Sequence, residues 1–188
     1  MNNNEIQYWE KFYNKEHVLE NTSFSRFVLG YIQKFDKKFN ILDIGCGNGR
    51  DSYYLSKYYN VTGIDSSNKP EEKENCKFIL GDMIDIDKSK FDLIYSRFSF
   101  HSISDENQEK LLQSVKNDTL LFIETRSIKG LNTYREHGDG HYRNLTNINI
   151  LKNMLEKNDF EILFVEEANN FAVYKNENPI CIRIICKK

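Results

Sequence analysis

Asp43, Gly45, Gly47, Gly49 and Asp65 stand at spacings that suit a nucleotide-like ligand. Glycines at alternate positions let a backbone turn tightly and approach a ligand where a Cβ would collide. Asp65 ends a short apolar run, Val61 to Ile64, where a carboxylate can accept hydrogen bonds from a ribose diol. Asp43 lies inside the preceding apolar run, Phe39 to Ile44, just ahead of the glycine turn. A carboxylate there repels a pyrophosphate and suits a cationic group. The dinucleotide fingerprint G-x-G-x-x-G/A needs a small residue at the sixth position counted from Gly45, and the chain has Arg50 there. The pattern is D-x-G-x-G-x-G, which separates the two ligand classes.

A second group of residues could bind an anion. Four of the seven arginines (Arg97, Arg126, Arg135, Arg143) and three of the four histidines (His101, His137, His141) fall between positions 97 and 143. Lysine is the commoner cation of this chain, yet that stretch has only Lys110, Lys116 and Lys129. Arginine offers a planar fork that grips carboxylate or phosphate in a bidentate way, which lysine cannot copy. The alternative is that some of these arginines pair with Asp92, Glu124, Glu136 or Asp139. His101 and His141 are candidate general bases, since a neutral imidazole can take a proton near neutral pH. Each could equally be a loop hydrogen-bonding residue.

The elements that must position these residues follow from pattern. Ile6 to Leu19 reads as an amphipathic helix rich in aromatics, with Tyr8, Trp9, Phe12 and Tyr13 able to pack on a sheet or fold over a ligand. Ser23 is the expected cap of a second helix whose stripe runs Phe24, Phe27, Val28, Tyr31, Ile32, Phe35. Strand, glycine turn, helix (Arg50 to Tyr59) and strand make a βαβ start. The stretch after Asp65 contains Pro70 and no apolar period, so a helix there should be short or missing. Further strands are expected at Cys76–Leu80, Phe91–Ser96, Thr119–Glu124, Phe160–Val165 and Ile180–Cys186. Helices are expected at Asp105–Lys116 and from Thr146 to a C-cap at Asn158. The pattern implies an α/β doubly wound sheet of seven strands with helices between the first five.

Asp43, Gly45, Gly47 and Gly49 together resemble the first motif of the class I S-adenosylmethionine (SAM)-dependent methyltransferases. The resemblance covers about residues 39–165. It implies a single-domain Rossmann-like sheet in the order 3-2-1-4-5-7-6, with strand seven antiparallel. It implies an N-terminal helical cap over 1–37 and the methyltransferase domain over 38–188. By the same resemblance SAM would lie against Asp43, Gly45, Cys46, Gly47, Asn48, Gly49, Arg50, Asp65, Ser66 and Ser96. Asp82 would meet the adenine amino group and Met83 the ring, and S-adenosylhomocysteine would leave as product. The acceptor would then use the loops after strands four and five, with Tyr13, Arg97, Arg126, Tyr142 and Arg143 as substrate residues. An Asn/Asp-Pro-Pro-Tyr motif after strand four would indicate methylation of amino groups on bases or glutamine; the chain has Ser96-Arg97-Phe98-Ser99.

NGRDS, YSRFSFHSI, IETRS and DGHYR are similar to segments of small methyltransferases of bacterial surface-polysaccharide modification, including those linked to O-methyl phosphoramidate decoration of capsules. That resemblance implies O-methylation of a small phosphate, phosphoramidate or carboxylate acceptor. Two other readings stay open: a thiol or chalcogen detoxifying methyltransferase, which shares GCGNGR, and a non-catalytic SAM-binding partner subunit.

Composition bounds the rest. A chain of 188 residues that is 39% hydrophobic can bury a core. A net charge of −2 gives no electrostatic reason to expect nucleic acid. No apolar stretch approaches the length of a membrane span, and the first residues lack an apolar signal core, so a cytoplasmic protein with a small-molecule substrate is expected. The cysteines (Cys46, Cys76, Cys181, Cys186) form no CxxC pair and read as reduced, inert thiols, with no metal expected.

Overall fold

The computed structural model describes residues 3–15, 20–129, 136–137, 141–174 and 176–188. Seven strands form one sheet: β1 (Asn40–Ile44), β2 (Asn60–Asp65), β3 (Cys76–Leu80), β4 (Leu93–Arg97), β5 (Leu120–Arg126), β6 (Glu161–Ala168) and β7 (Cys181–Lys187). Their order is β3-β2-β1-β4-β5-β7-β6, and β7 runs antiparallel to β5 and β6. This is the expected Rossmann-like methyltransferase sheet. Two compact units divide the chain, Met1–Tyr95 and Ser96–Lys188, and the boundary falls inside β4.

In the first unit β1, β2 and β3 pair in parallel. The inner part of β1 is buried on both faces, as its apolar residues require, and Asp43 is buried with them. Helix α1 spans Asn3–Lys15, and residues 16–19, the end of the expected helix, lie outside the described residues. Helix α2 spans Ser23–Ile32, and its cap is Thr22, one residue before the expected Ser23. The Thr22 hydroxyl oxygen accepts the Ser25 N–H at 3.2 Å. Helix α3, Arg50–Leu55, stops short of Tyr59.

No helix joins β2 to β3, as expected, but none joins β3 to β4 either, against expectation. The segment after β3 is rich in aspartate, and short polar side chains offer the backbone local bonds that compete with a helix. Asp82 accepts the Ile84 N–H, and Asp87 accepts the Ser89 N–H. Lys88, 2% exposed, sends its ammonium to the carbonyls of Ile84 and Ile86, filling acceptors a helix would have paired.

Asp51, on the first turn of α3, ties this unit together. Its carboxylate is 5% exposed and accepts three hydrogen bonds. Thr22 donates its N–H to one oxygen and its hydroxyl to the other, both at 2.8 Å. The Tyr95 hydroxyl donates to the second oxygen at 2.7 Å. One side chain thereby fixes the start of α2 and the middle of β4 against the helix that follows the glycine turn.

In the second unit β5 is buried along its length up to Arg126 and pairs with β7 from Leu120↔Lys187 to Arg126↔Cys181. A bulge between Ile162 and Phe164 bends β6. Helix α4 is Asp105–Gln113, capped by Ser104 and three residues shorter than expected. Helix α5 is Ile148–Lys157, capped by Asn147 in place of Thr146 and closed by Asn158 as expected. A two-residue ladder joins Glu136–His137 to His141–Tyr142.

Thr22→Ala removes a helix cap and one donor to a buried carboxylate, the hydroxyl, while the backbone N–H stays. We expect a loss of about 2–3 kcal/mol, read as a lower urea midpoint at unchanged slope. An unchanged midpoint would show that the Asp51 cluster contributes nothing to folding.

Candidate active site

In the first unit the glycine turn is shaped by backbone bonds at the carboxyl end of β2. Gly45 and Cys46 both donate to the Ile64 carbonyl, at 2.8 and 3.1 Å. Gly47 donates its N–H to Asp65 at 2.9 Å. The other oxygen of Asp65 accepts the N–H and hydroxyl of Ser67. The expected ribose carboxylate is therefore also the latch of the turn, held in one orientation before any ligand arrives. Gly47 has φ +55°, and a Cβ there would lie 2.2 Å from the Tyr13 hydroxyl oxygen. Tyr13 of α1 thus rests directly on the turn. Its ring stacks on Trp9 at 5.8 Å, which links two of the four aromatics of that helix.

Asp43 is 3% exposed and accepts a hydrogen bond from Ser52 of α3. Asn48 and Arg50 are half-buried at the turn, and Asn48 accepts the Arg50 N–H at 3.4 Å. Asp82 and Ser66 are half-buried beyond β3 and β2, and Met83 is buried. Carboxylates at Asp43 and Asp65, glycines without side chains at the turn and a thioether at Met83 are groups that suit the ammonium, ribose and adenine of SAM. Bound there, SAM would supply an electrophilic methyl on a sulfonium.

Burial and the nearby carboxylates of Asp43 and Asp65 push the Cys46 thiol well above its ordinary pKa. Burial also pushes Cys76 up to about 11 and Cys181 up to about 12. These are thiols, not thiolates, at neutral pH, and so poor nucleophiles. Gly63, which sequence pattern did not single out, is needed beside Cys46: a Cβ there would lie 2.9 Å from its sulfur and 2.7 Å from the Phe78 ring.

In the second unit the turn after β4 carries most of the remaining candidates. Phe98 has φ +59°, a left-handed conformation that a bulky residue rarely adopts. It is held by its own N–H, which donates to the Glu124 carbonyl, and by the Ser102 hydroxyl, which donates to the Phe98 carbonyl. The Phe98 ring has the guanidinium of Arg97 at 4.4 Å and that of Arg126 at 5.4 Å. Ser96 is buried and shares a hydrogen bond with Ser99 at 2.8 Å.

The two arginines differ in their acids. Arg97 donates to Glu124, which is fully buried and also receives Arg183. Burial pushes the Glu124 carboxyl above its ordinary pKa, partly offset by the two guanidiniums. Arg126 pairs at 2.9 Å with Glu177, whose side chain is 47% exposed. Sequence pattern singled out neither Arg183 nor Glu177, since such pairing joins residues far apart in the chain.

His101 is 3% exposed on a short 3-10 turn, Phe100–Ser102. Its Nδ1 receives the Arg126 N–H at 3.2 Å and lies 3.1 Å from the Thr125 hydroxyl oxygen. Arg143 is half-buried, and its neighbour Asn144 donates its N–H to the His101 carbonyl. The side chains of His137, His141 and Tyr142, and all of Arg135, lie outside the described residues. Among the described residues no group of three His, Cys, Asp or Glu could hold a metal ion. Nor is any described helix long and apolar enough to cross a membrane.

Residues 41–117 match the family model described as a methyltransferase domain. The fold is shared with the 1,6-didemethyltoxoflavin-N1-methyltransferase of Burkholderia thailandensis, at 17% identity and a TM-score of 0.70, over 87% of this chain and 76% of that one. A SAM-dependent methyltransferase of Methanosarcina mazei shares it at 18% identity and 0.67, over 86% and 96%. One of Anabaena variabilis does so at 20% and 0.66, over 97% and 94%. No curated protein matches the chain in sequence. A stretch of the chain thus matches a methyltransferase domain, and the whole has the fold of SAM-dependent methyltransferases. The Burkholderia enzyme was solved with S-adenosylhomocysteine bound.

Gly47→Ala combines a strained φ with a collision at Tyr13. We expect S-adenosylhomocysteine affinity to fall by at least about tenfold, or ~1.4 kcal/mol, measured by calorimetry. Unchanged affinity would remove the turn from the cofactor site.

Proposed function

We propose that the protein O-methylates a small anionic acceptor, a phosphate, phosphoramidate or carboxylate, in the cytoplasm during synthesis of surface-polysaccharide (capsule) precursors. The observation that carries the anionic acceptor is the pairing of Arg126. A half-exposed glutamate, Glu177, occupies a guanidinium that is itself only 13% exposed. Glu177 is half in water, so releasing it strands no buried carboxylate, and an acceptor oxyanion can take its place on the guanidinium. Arg97 is different. Its partner Glu124 is buried, and breaking such a pair strands a charge. Of the two arginines expected to bind substrate, Arg126 is the one suited to exchange, and Arg97 supports the turn that carries His101. Tyr13, Tyr142, Arg143 and His141 stay part of the proposed acceptor site on the strength of the resemblance.

An in-line displacement at a methyl carbon asks mainly for orientation, since the sulfonium is already a good leaving group. A thiol or chalcogen acceptor is a soft, weakly solvated nucleophile with no use for an arginine fork. A non-catalytic SAM-binding subunit would bind cofactor and turn nothing over. The capsule setting rests on the quoted segments alone.

The test is a screen of candidate acceptors followed by S-adenosylhomocysteine release, weighted to phosphorylated, phosphoramidate and carboxylate compounds beside thiols and selenite. Turnover of thiols alone would overturn the reading. With the acceptor in hand, Arg126→Ala should raise its KM by about tenfold or more while stability falls by ~1 kcal/mol or less. Arg97→Ala should cost stability, about 3–5 kcal/mol. The reverse pattern in denaturation and kinetics would exchange the two roles.

A further inference from the structure

His101 was expected to be either a general base or a loop hydrogen-bonding residue, and the end of β4 decides between them. The last ladder-like bond on that side of β5 runs from the Phe98 N–H to the Glu124 carbonyl. Beyond it β4 has ended and the chain has turned away at Phe98, with φ +59°. The next donor, the N–H of Arg126, would be left without a partner in a region where neighbouring side chains are buried. The ring nitrogen Nδ1 of His101 fills that place, accepting the bond at 3.2 Å. Turning the ring over would set a C–H against the Arg126 N–H and leave that donor unpaired. The orientation is therefore fixed by the backbone, not by choice of tautomer.

A nitrogen that accepts an N–H carries no proton. In neutral imidazole the proton then sits on the other nitrogen, Nε2. The Thr125 hydroxyl lies 3.1 Å from Nδ1 and shares a bond of 2.9 Å with Thr146, and the protons of that pair can run in either direction, so the Arg126 N–H is what sets the tautomer. A general base working through Nε2 would need its proton moved to Nδ1, where it would face the Arg126 N–H head-on.

We propose that His101 is held as the Nε2–H tautomer and serves the reaction as a hydrogen-bond donor, not as a base, to an acceptor oxygen that arrives already ionised. This rests on the reading of the acceptor as anionic and deepens it: phosphate, phosphoramidate and carboxylate oxygens need no base near neutral pH, whereas a neutral sugar hydroxyl does. In such a transfer an oxygen lone pair forms the bond to the methyl carbon as the carbon–sulfur bond breaks. The bonding pair passes to sulfur, the sulfonium becomes a neutral thioether, and the acceptor loses one negative charge. No proton moves, so no base is required.

The tautomer can be measured without an acceptor. Two-bond proton–nitrogen correlation spectra of the 15N-labelled wild-type enzyme, at about pH 8 where imidazole is neutral, report which ring nitrogen bears the proton. The His101 signals are assigned by their loss in His101→Gln. We expect Nδ1 unprotonated and Nε2 protonated, with and without S-adenosylhomocysteine. A protonated Nδ1 overturns the proposal. The role is read by S-adenosylhomocysteine release with phosphoramidate as acceptor. His101→Gln, whose amide can donate from near the Nε2 position, should keep activity within about tenfold of wild type, while His101→Ala loses about a hundredfold. Equal loss in both variants, or no loss in either, overturns the donor role. If the wild-type enzyme turns over no anionic acceptor, the anionic reading has failed, and the spectra still decide the tautomer.

Discussion

Where the strands end, the ladder ends with them, and every buried donor and acceptor left over must find another partner. Both units are built around this constraint. In the first, the Gly47 N–H passes to Asp65 and the N–H and hydroxyl of Thr22 pass to Asp51. In the second, the Arg126 N–H passes to an imidazole and the buried acid of Glu124 passes to two guanidiniums. Two of the side chains that resolve these shortages, Asp65 and His101, are also among those expected to meet a ligand, and their orientation is set by backbone bonds before any ligand binds.

Much of this was legible in the sequence because it is local. The glycine turn, the acids at Asp43 and Asp65, and the strand order implied by the resemblance depend on neighbours in the chain or on a recurrent motif. The starts of α2 and α5 were legible to within one residue, since Thr22 and Asn147 compete with Ser23 and Thr146 for the same capping role, while α1 begins at Asn3, three residues before the expected Ile6. The missing helix between β3 and β4 was harder to see. Its aspartates bond to the backbone two residues on, and the acceptors left over go to a buried lysine that pattern reading assigns to the surface. Partners far apart in the chain were not legible at all. Asp51 looks like an ordinary acid in a helix's first turn, and its bonds to Thr22 and Tyr95 belong to the tertiary fold.

The arginine cluster shows the same limit from the other side. Its enrichment near β4 and β5 was visible, but enrichment does not distinguish a cation that holds the scaffold from one that holds a ligand. The exposure of the partner separates the two arginines. Glu124 is fully buried and Glu177 is nearly half exposed. Removing Arg97 would strand an acid in a region of low dielectric, while removing Arg126 would release an acid to water. Two residues of one type, both near the same phenylalanine ring, thus carry unlike burdens.

The Tyr13 hydroxyl occupies the space above Gly47 that a methyl group would otherwise fill. Anything that approaches that face of the turn must first move a side chain carried by α1. How long a ligand stays there, and not only how tightly it is held, is then partly a property of the N-terminal helix. The aromatic residue that would set such a residence time stands 34 positions before Gly47 in the chain.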